Sequence, residues 1–198
     1  MELAYSKKEI IFEKELTNLD MFVIEFADIL ERNKLKYVII SGYIAILFGR
    51  TRKTEDIDLF IERIPKEKFL EVWKEFAKKY DCINAKEPDD AYEYLDEGLS
   101  IRMGEIGTFE PNFEIKFVKT GMDRLTLADR VLVKLGKYQI YTSSIELQIA
   151  FKLYLGSEKD LEDARHLWIL FRDYLNKEKL KYFISTLNTK DQGVLDGL

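Results

Sequence analysis

The chain has 198 residues, 46% of them hydrophobic, and its 36 acidic against 31 basic side chains give a formal net charge of −5. That is enough apolar material for a packed core, and the acidic balance excludes binding of a polyanion by bulk charge, so any phosphate or RNA contact must be local. A single cysteine, Cys82, excludes an internal disulfide, and a single histidine, His166, excludes a zinc finger and argues against a His-based catalytic triad.

The opening residues, "MELAYSKKEIIFEKEL", are too charged for a secretory leader, and no stretch approaches the roughly 18–20 apolar residues of a membrane span. A cytoplasmic protein with no membrane partner is the expectation. Apolar positions Ile10, Ile11, Leu16, Leu19, Phe22, Val23, Phe26, Ile29 and Leu30 recur at mixed spacings of three and four, which predicts one or two amphipathic helices over 7–33. "KYVII" at 36–40 reads as a buried strand. Gly42 then opens a short helix that Gly49 closes, and "DIDLFIE" at 56–62 is the next strand. Pro65 starts a helix whose apolar face is Phe69, Val72, Trp73 and Phe76. The acidic segment 86–98 reads as a solvated turn or short helix. "LSIRMGEI" and "NFEIKFV" alternate as strands, and "RVLVKLGKYQIYT" reads as a hairpin turning at Gly136-Lys137. Helical patterns follow over 144–155, 157–175 and 177–187. The expected fold class is α+β: a mixed sheet flanked by helices over 1–142, with N-terminal helices, and a C-terminal helical bundle over 143–198.

The pair Asp56 and Asp58 stands out in "SGYIAILFGRTRKTEDIDLF". Side chains on a strand alternate, so the two carboxylates share a face with Cα atoms roughly 6–7 Å apart, while Ile57 and Leu59 point into the core. Their repulsion is relieved by water, by basic neighbours or by a divalent cation. Mg²⁺ takes hard oxygen ligands and uses one or two carboxylates with substrate phosphates. An isolated pair of this kind is an ordinary solvated strand end. Here, however, a buried strand runs upstream into Ser41-Gly42 and directly into a helix, a setting in which backbone N–H groups and the Ser41 hydroxyl can meet a phosphate. A phosphate turn and a metal pair separated by one short helix suit a shared nucleoside triphosphate.

The segment "SGYIAILFGRTRKTEDIDL" resembles the signature of the nucleotidyltransferase fold shared by DNA polymerase beta and many minimal enzymes: an apolar strand, Gly-Gly or Gly-Ser (here Ser41-Gly42), a short helix, then an Asp-x-Asp strand. In one branch an Arg and a Thr or Ser precede the aspartates, as Arg52 and Thr54 do here. The tail, "SSIELQIAFKLYLGSEKDLEDARHL", is similar to the abortive-infection-type members, in which a Lys precedes Asp-x-x-Asp; here these are Lys152, Asp160 and Asp163. The resemblance implies a Mg²⁺-dependent enzyme that moves an NMP group from an NTP to a hydroxyl. Asp56 and Asp58 would carry the metal with Glu114 as the third carboxylate. Ser41, Gly42, Arg52, Thr54 and Lys152 would hold the nucleotide. A register two residues off would put Lys116 in place of Glu114. The abortive-infection likeness implies a toxin-like role, with an RNA 3′ end as acceptor and a cognate antitoxin as partner. Nucleotidylation of a protein hydroxyl, as in antitoxin-type members, and an inert nucleotide- or partner-binding member are the alternatives. Arg50, Arg52 and Lys53, continued by Lys134, Lys137 and Lys152, would form the local basic track that an RNA needs. His166 reads as structural.

Overall fold

The computed structural model describes residues 3–6, 8–189 and 193–195. The chain runs through β1 (Leu3–Ser6), β2 (Glu9–Phe12), α1 (Asn18–Arg32), β3 (Tyr37–Ile39), α2 (Gly42–Leu47) and β4 (Asp56–Ile61). Then come α3 (Lys66–Phe76), β5 (Tyr80–Cys82), α4 (Pro88–Glu97), β6 (Ile101–Glu105) and β7 (Asn112–Phe117). They are followed by α5 (Gly121–Ala128), the hairpin β8 (Val131–Leu135) and β9 (Tyr138–Thr142), and the helices α6 (Ile145–Leu155), α7 (Glu158–Phe171) and α8 (Lys177–Thr186). Among the described residues the strands form one 9-stranded mixed sheet in the order β1-β2-β8-β9-β3-β4-β7-β6-β5. The architecture is the expected α+β one.

The middle of the sheet is set by apolar alternation. In β4, Ile57, Leu59 and Ile61 are buried while Asp56, Asp58 and Phe60 lie on the opposite face. Its parallel neighbour β7 buries Phe113, Ile115 and Phe117 on that same inward side. Helix α1 lays Phe26 on Phe113, with ring centroids 3.9 Å apart, and on Phe76 of α3 at 4.7 Å. From α4, Tyr92 packs against Phe69 and Phe117. Each such ring contributes roughly 1.5–3 kcal/mol by burial. A slip of one residue in β4 would turn both aspartates into this aromatic layer, so the core itself fixes where the carboxylates emerge.

Helix α2 is buried along its length, and the Tyr43 hydroxyl donates to Asp20 at 2.9 Å. Asp20 is also the capping-box partner of Thr17 at the start of α1, so the two helices share one buried carboxylate. In the tail, α6 is apolar nearly all round and packs against both α7 and α8. His166 meets the Phe48 carbonyl at 3.0 Å, a structural contact.

The N-terminal segment differs from the sequence reading. Residue 7, where the first helix was expected to begin, lies outside the described residues. Residues 9–12 form β2, antiparallel to β1 and parallel to β8, and α1 begins only at Asn18. In "EIIF", Ile10 and Phe12 are buried while Ile11 is exposed, a two-residue period, and the β-branched isoleucines suit a strand. The acidic segment folds as α4, opened by Pro88 and ended by Gly98 at φ 87°. The sequence reading did not resolve β1, β5 or α5.

Candidate active site

The site is built on three adjacent strands. Asp58 lies level with Glu114 of β7, and Asp56 level with Asn112. On the other flank the Ile40 amide, just past β3, donates to the Asp58 carbonyl at 2.9 Å. One face of the sheet therefore carries Glu114, Asp58 and Ile40 in a row. The register sets Glu114 beside Asp58, and Lys116 level with Phe60 instead.

Burial and, after it, the charge of Asp56 push the Asp58 carboxyl up from its ordinary range; a hydrogen bond from the Ser41 hydroxyl pulls the other way. Glu114 is also pushed up by burial, but Lys116 at 2.6 Å and Arg102 at 3.1 Å outweigh it and hold its carboxyl below the usual range. The two neighbouring acids are thus tuned in opposite directions.

The turn beside them is strained. Ser41 sits at φ 65°, ψ −137°, a region in which glycine is at home and a side chain is not. Gln148 of α6 holds it there: its amide oxygen accepts from the Ser41 N–H at 3.2 Å and its amide nitrogen donates to the Ser41 carbonyl at 2.6 Å. Gln148 is buried in a mostly apolar helix that also buries Glu146 and Lys152, and its oxygen accepts from Ser143 as well. At Gly42, an added Cβ would collide with the Arg52 guanidinium, so glycine here is what lets Arg52 lie across the start of α2.

The other basic residues are less available than their sequence suggests. Arg52 makes two bonds of 3.2 Å to Asp163 of α7. Arg50 pairs with Asp163 and with Glu162. Lys152, 3% exposed, bonds Asp160 at 2.6 Å and Asp163 at 3.1 Å. Asp163 is fully buried and collects all three cations. Lys134 pairs with Glu9 at 2.7 Å, and Lys137 lies by the Tyr138 ring. The continuous basic track expected from the sequence does not form, because Asp160, Glu162 and above all the buried Asp163 of α7 take up its arginines and Lys152. The Thr54 hydroxyl donates to the Asp56 carbonyl at 2.9 Å, bracing the loop that leads into β4. The sequence reading missed Gln148, Asn112, Arg102 and Phe60; the signal for Gln148 was a lone amide in a mostly apolar helix.

Among the described residues no three His, Cys, Asp or Glu side chains form a ready-made metal cage. Mg²⁺ held by Asp56, Asp58 and substrate phosphate oxygens needs no third protein carboxylate. The donor set fits such an ion. Asp58 is burdened by the charge of Asp56, and the Asn112 side-chain oxygen, on the residue level with Asp56, is buried without a hydrogen-bond partner.

No family model and no curated protein sequence matches the chain. Solved structures do match it. One is an antigenic nucleotidyltransferase-like protein from Paracoccidioides brasiliensis, at 16% identity and TM-score 0.53 over 84% of this chain and 85% of that one. A second is the lincosamide antibiotic adenylyltransferase LnuA with lincomycin bound, at 16% identity and TM-score 0.50 over 78% of this chain and 98% of that one. A third is the antibiotic-resistance factor ANT(2'')-Ia, at 13% identity and TM-score 0.51 over 87% and 93%. The fold is that of the nucleotidyltransferases. No helix among the described residues is long and apolar enough to cross a membrane.

Proposed function

We propose that the chain is a Mg²⁺-dependent nucleotidyltransferase that moves an NMP group from an NTP to a hydroxyl acceptor. The observation that carries this reading is the row Glu114–Asp58 with Asp56, on one sheet face and beside the Ser41–Gly42 turn, within a nucleotidyltransferase fold. In the reaction the acceptor oxygen bonds to the α-phosphorus, the bond from that phosphorus to the α–β bridging oxygen breaks, and pyrophosphate leaves. Mg²⁺, when bound, supplies neutralising charge on the triphosphate. Asp56 and Asp58 would hold it. Glu114, kept ionised by Lys116 and Arg102, orients the acceptor hydroxyl and takes its proton. Ser41, Gly42 and Arg52 cradle the phosphates. Thr54 braces the loop, and Lys152 acts through Asp163 to fix Arg52.

An RNA 3′ end is the acceptor that a toxin-like role implies, with an antitoxin as partner. The pairing of Arg50, Arg52 and Lys152 favours a second reading: a compact hydroxyl, on a protein or small molecule, that needs no phosphate track. One experiment separates them. The protein is incubated with each α-labelled NTP and Mg²⁺ in the presence of total RNA, a protein extract or a panel of small polyols. Label should pass to one acceptor class and fall to background in Asp56→Asn and Asp58→Asn variants that remain folded. Tight binding of Mg-NTP without transfer to any acceptor would identify an inert member, and transfer unchanged in both variants would refute the site.

A further inference from the structure

The two cations that meet Glu114 differ from those gathered at α7. Arg50, Arg52 and Lys152 face three carboxylates of that helix. Arg102 and Lys116 share one. Arg102 of β6 is the register partner of Glu114, and Lys116 follows it two residues along β7 on the same face. Among the described residues neither pairs with a carboxylate other than Glu114, and their side chains are 47% and 40% exposed. Ion pairs so exposed add little stability, so the sheet does not need them for its own sake. Asn84 fixes where Arg102 stands: its side chain accepts from the Arg102 N–H at 2.8 Å and donates to the Ser100 carbonyl at 2.9 Å. The neighbouring row is covered. At Gly104 an added Cβ would meet the Thr108 carbonyl at 2.8 Å, and the Asn112 amide donates to the Phe109 carbonyl at 3.1 Å, so the β6–β7 loop lies over Gly104 and Asn112 on this face. The open approach to Glu114 on this flank runs past Arg102 and Lys116.

We propose that Arg102 and Lys116 bind an oxyanion of the acceptor, so that the acceptor is a small alcohol carrying one phosphate or carboxylate beside its reacting hydroxyl. The inference rests on the nucleotidyltransferase reading above and names its substrate class. A guanidinium offers parallel N–H donors that match either oxyanion, and the ammonium adds a point charge. The donor's phosphates belong elsewhere: β3, which leads into the Ser41–Gly42 turn, and β6 are three strand spacings apart, roughly 14 Å. One anion suits this flank better than a chain of them, because the cations that would continue a track are taken up by α7. An alcohol held by its anion at these two side chains has its hydroxyl at Glu114, between them.

The test uses the full chain with Mg²⁺ and a non-hydrolysable ATP analogue. Calorimetry follows inorganic phosphate, glycerol 3-phosphate, glycerate and glycerol, and the phosphate and carboxylate arms tell which oxyanion is preferred. At least one anionic alcohol should bind about tenfold or more tighter than glycerol, and Arg102→Gln should erase that margin while the analogue's affinity stays within about twofold. Lys116→Gln should do the same, and it keeps the test alive if Arg102→Gln does not fold. Glycerol binding as tightly as both anionic alcohols would overturn the proposal, as would anion binding that neither variant changes or no anion binding at all. An analogue affinity that falls about tenfold in either variant would assign the cations to the donor's phosphates and overturn it too. A short oligoribonucleotide whose salt dependence counts several phosphates, at about −0.7 each in the log–log slope, would replace the single anion with an RNA track. Failure of the analogue to bind the unaltered protein would count against the transferase reading, while Arg102-dependent binding of phosphate without nucleotide still judges the cation pair by itself.

Discussion

Ser41 offers a quantitative test of how the turn is made. Its φ of 65° and ψ of −137° place a side chain in glycine territory, at a cost of about 1–3 kcal/mol. Replacement by glycine removes that strain but gives the unfolded chain more freedom, which costs about 0.5–1 kcal/mol. It also removes the hydroxyl that donates to Asp58. Replacement by alanine removes the same hydroxyl and keeps the strain. The hydrogen bond therefore cancels between the two variants, and the backbone difference remains. Taking the middle of each range, Ser41→Gly should be more stable than Ser41→Ala by about 1 kcal/mol. For a chain of this length that is a melting-temperature gap of roughly 2–4 °C. Urea titrations of both variants, with equal denaturant slopes, provide the free energies. Alanine as stable as glycine, or more so, would show that residue 41 does not occupy the left-handed region, and the account of the clasp by Gln148 would fall with it.

Other variants probe the surroundings of the turn. Gln148→Leu should destabilise by about 2 kcal/mol by leaving the Ser41 N–H and carbonyl without their partner, and it should weaken Mg-ATP binding beyond any effect on the fold; unchanged affinity would separate the clasp from the site. Asp163→Ala strips three cations of their shared carboxylate and should cost about 3–5 kcal/mol, read by thermal melting, with a loss below 1 kcal/mol refuting the cluster's structural weight. Acid stability should report Asp20. Burial pushes its carboxyl up, but Lys14, Thr17 and Tyr43 outweigh it and hold the folded pKa below 3.8. Its contribution is therefore complete above the ordinary aspartate range and is lost as the pH falls through the lower folded value. Asp20→Asn should flatten that acid limb of the stability profile, and an unchanged limb would assign it to other groups.

Much of the site was readable because it lies on strands, where alternation gives the facing of each residue. "DIDLF" and "NFEIKF" already separate acids from core, and the parallel register then sets Glu114 beside Asp58. The Ser41–Gly42 turn was readable from its place between an apolar strand and helix, but its strained backbone was not, since serine gives no hint of a positive φ. The clasp escaped notice because its partner lies 107 residues away, and no local pattern reports a contact of that span. The same applies to Asp163, whose Asp-x-x-Asp spacing with Asp160 gave no sign that it gathers Arg50, Arg52 and Lys152. Residues 9–12 misled because two consecutive isoleucines fit three-and-four spacing as well as a strand edge. Helix α5 had left a mark, the capping box of Thr120 and Asp123, which the sequence reading passed over.

The distance along the chain between Ser41 and Gln148 also bears on the order in which the molecule folds. Strand β3 and helix α2 are close neighbours in sequence and can meet early, but the turn that joins them cannot be held in its high-energy shape until α6 has docked. Closing so long a segment is slow compared with local pairing. The shape of the turn thus arrives last, after the hairpin of β8 and β9 has delivered the tail. A nascent chain halted before residue 148 would contain both aspartates and every described strand, yet the turn beside them would lack its clasp. The shape of the turn is in this way tied to synthesis of α6, without any separate device to delay it.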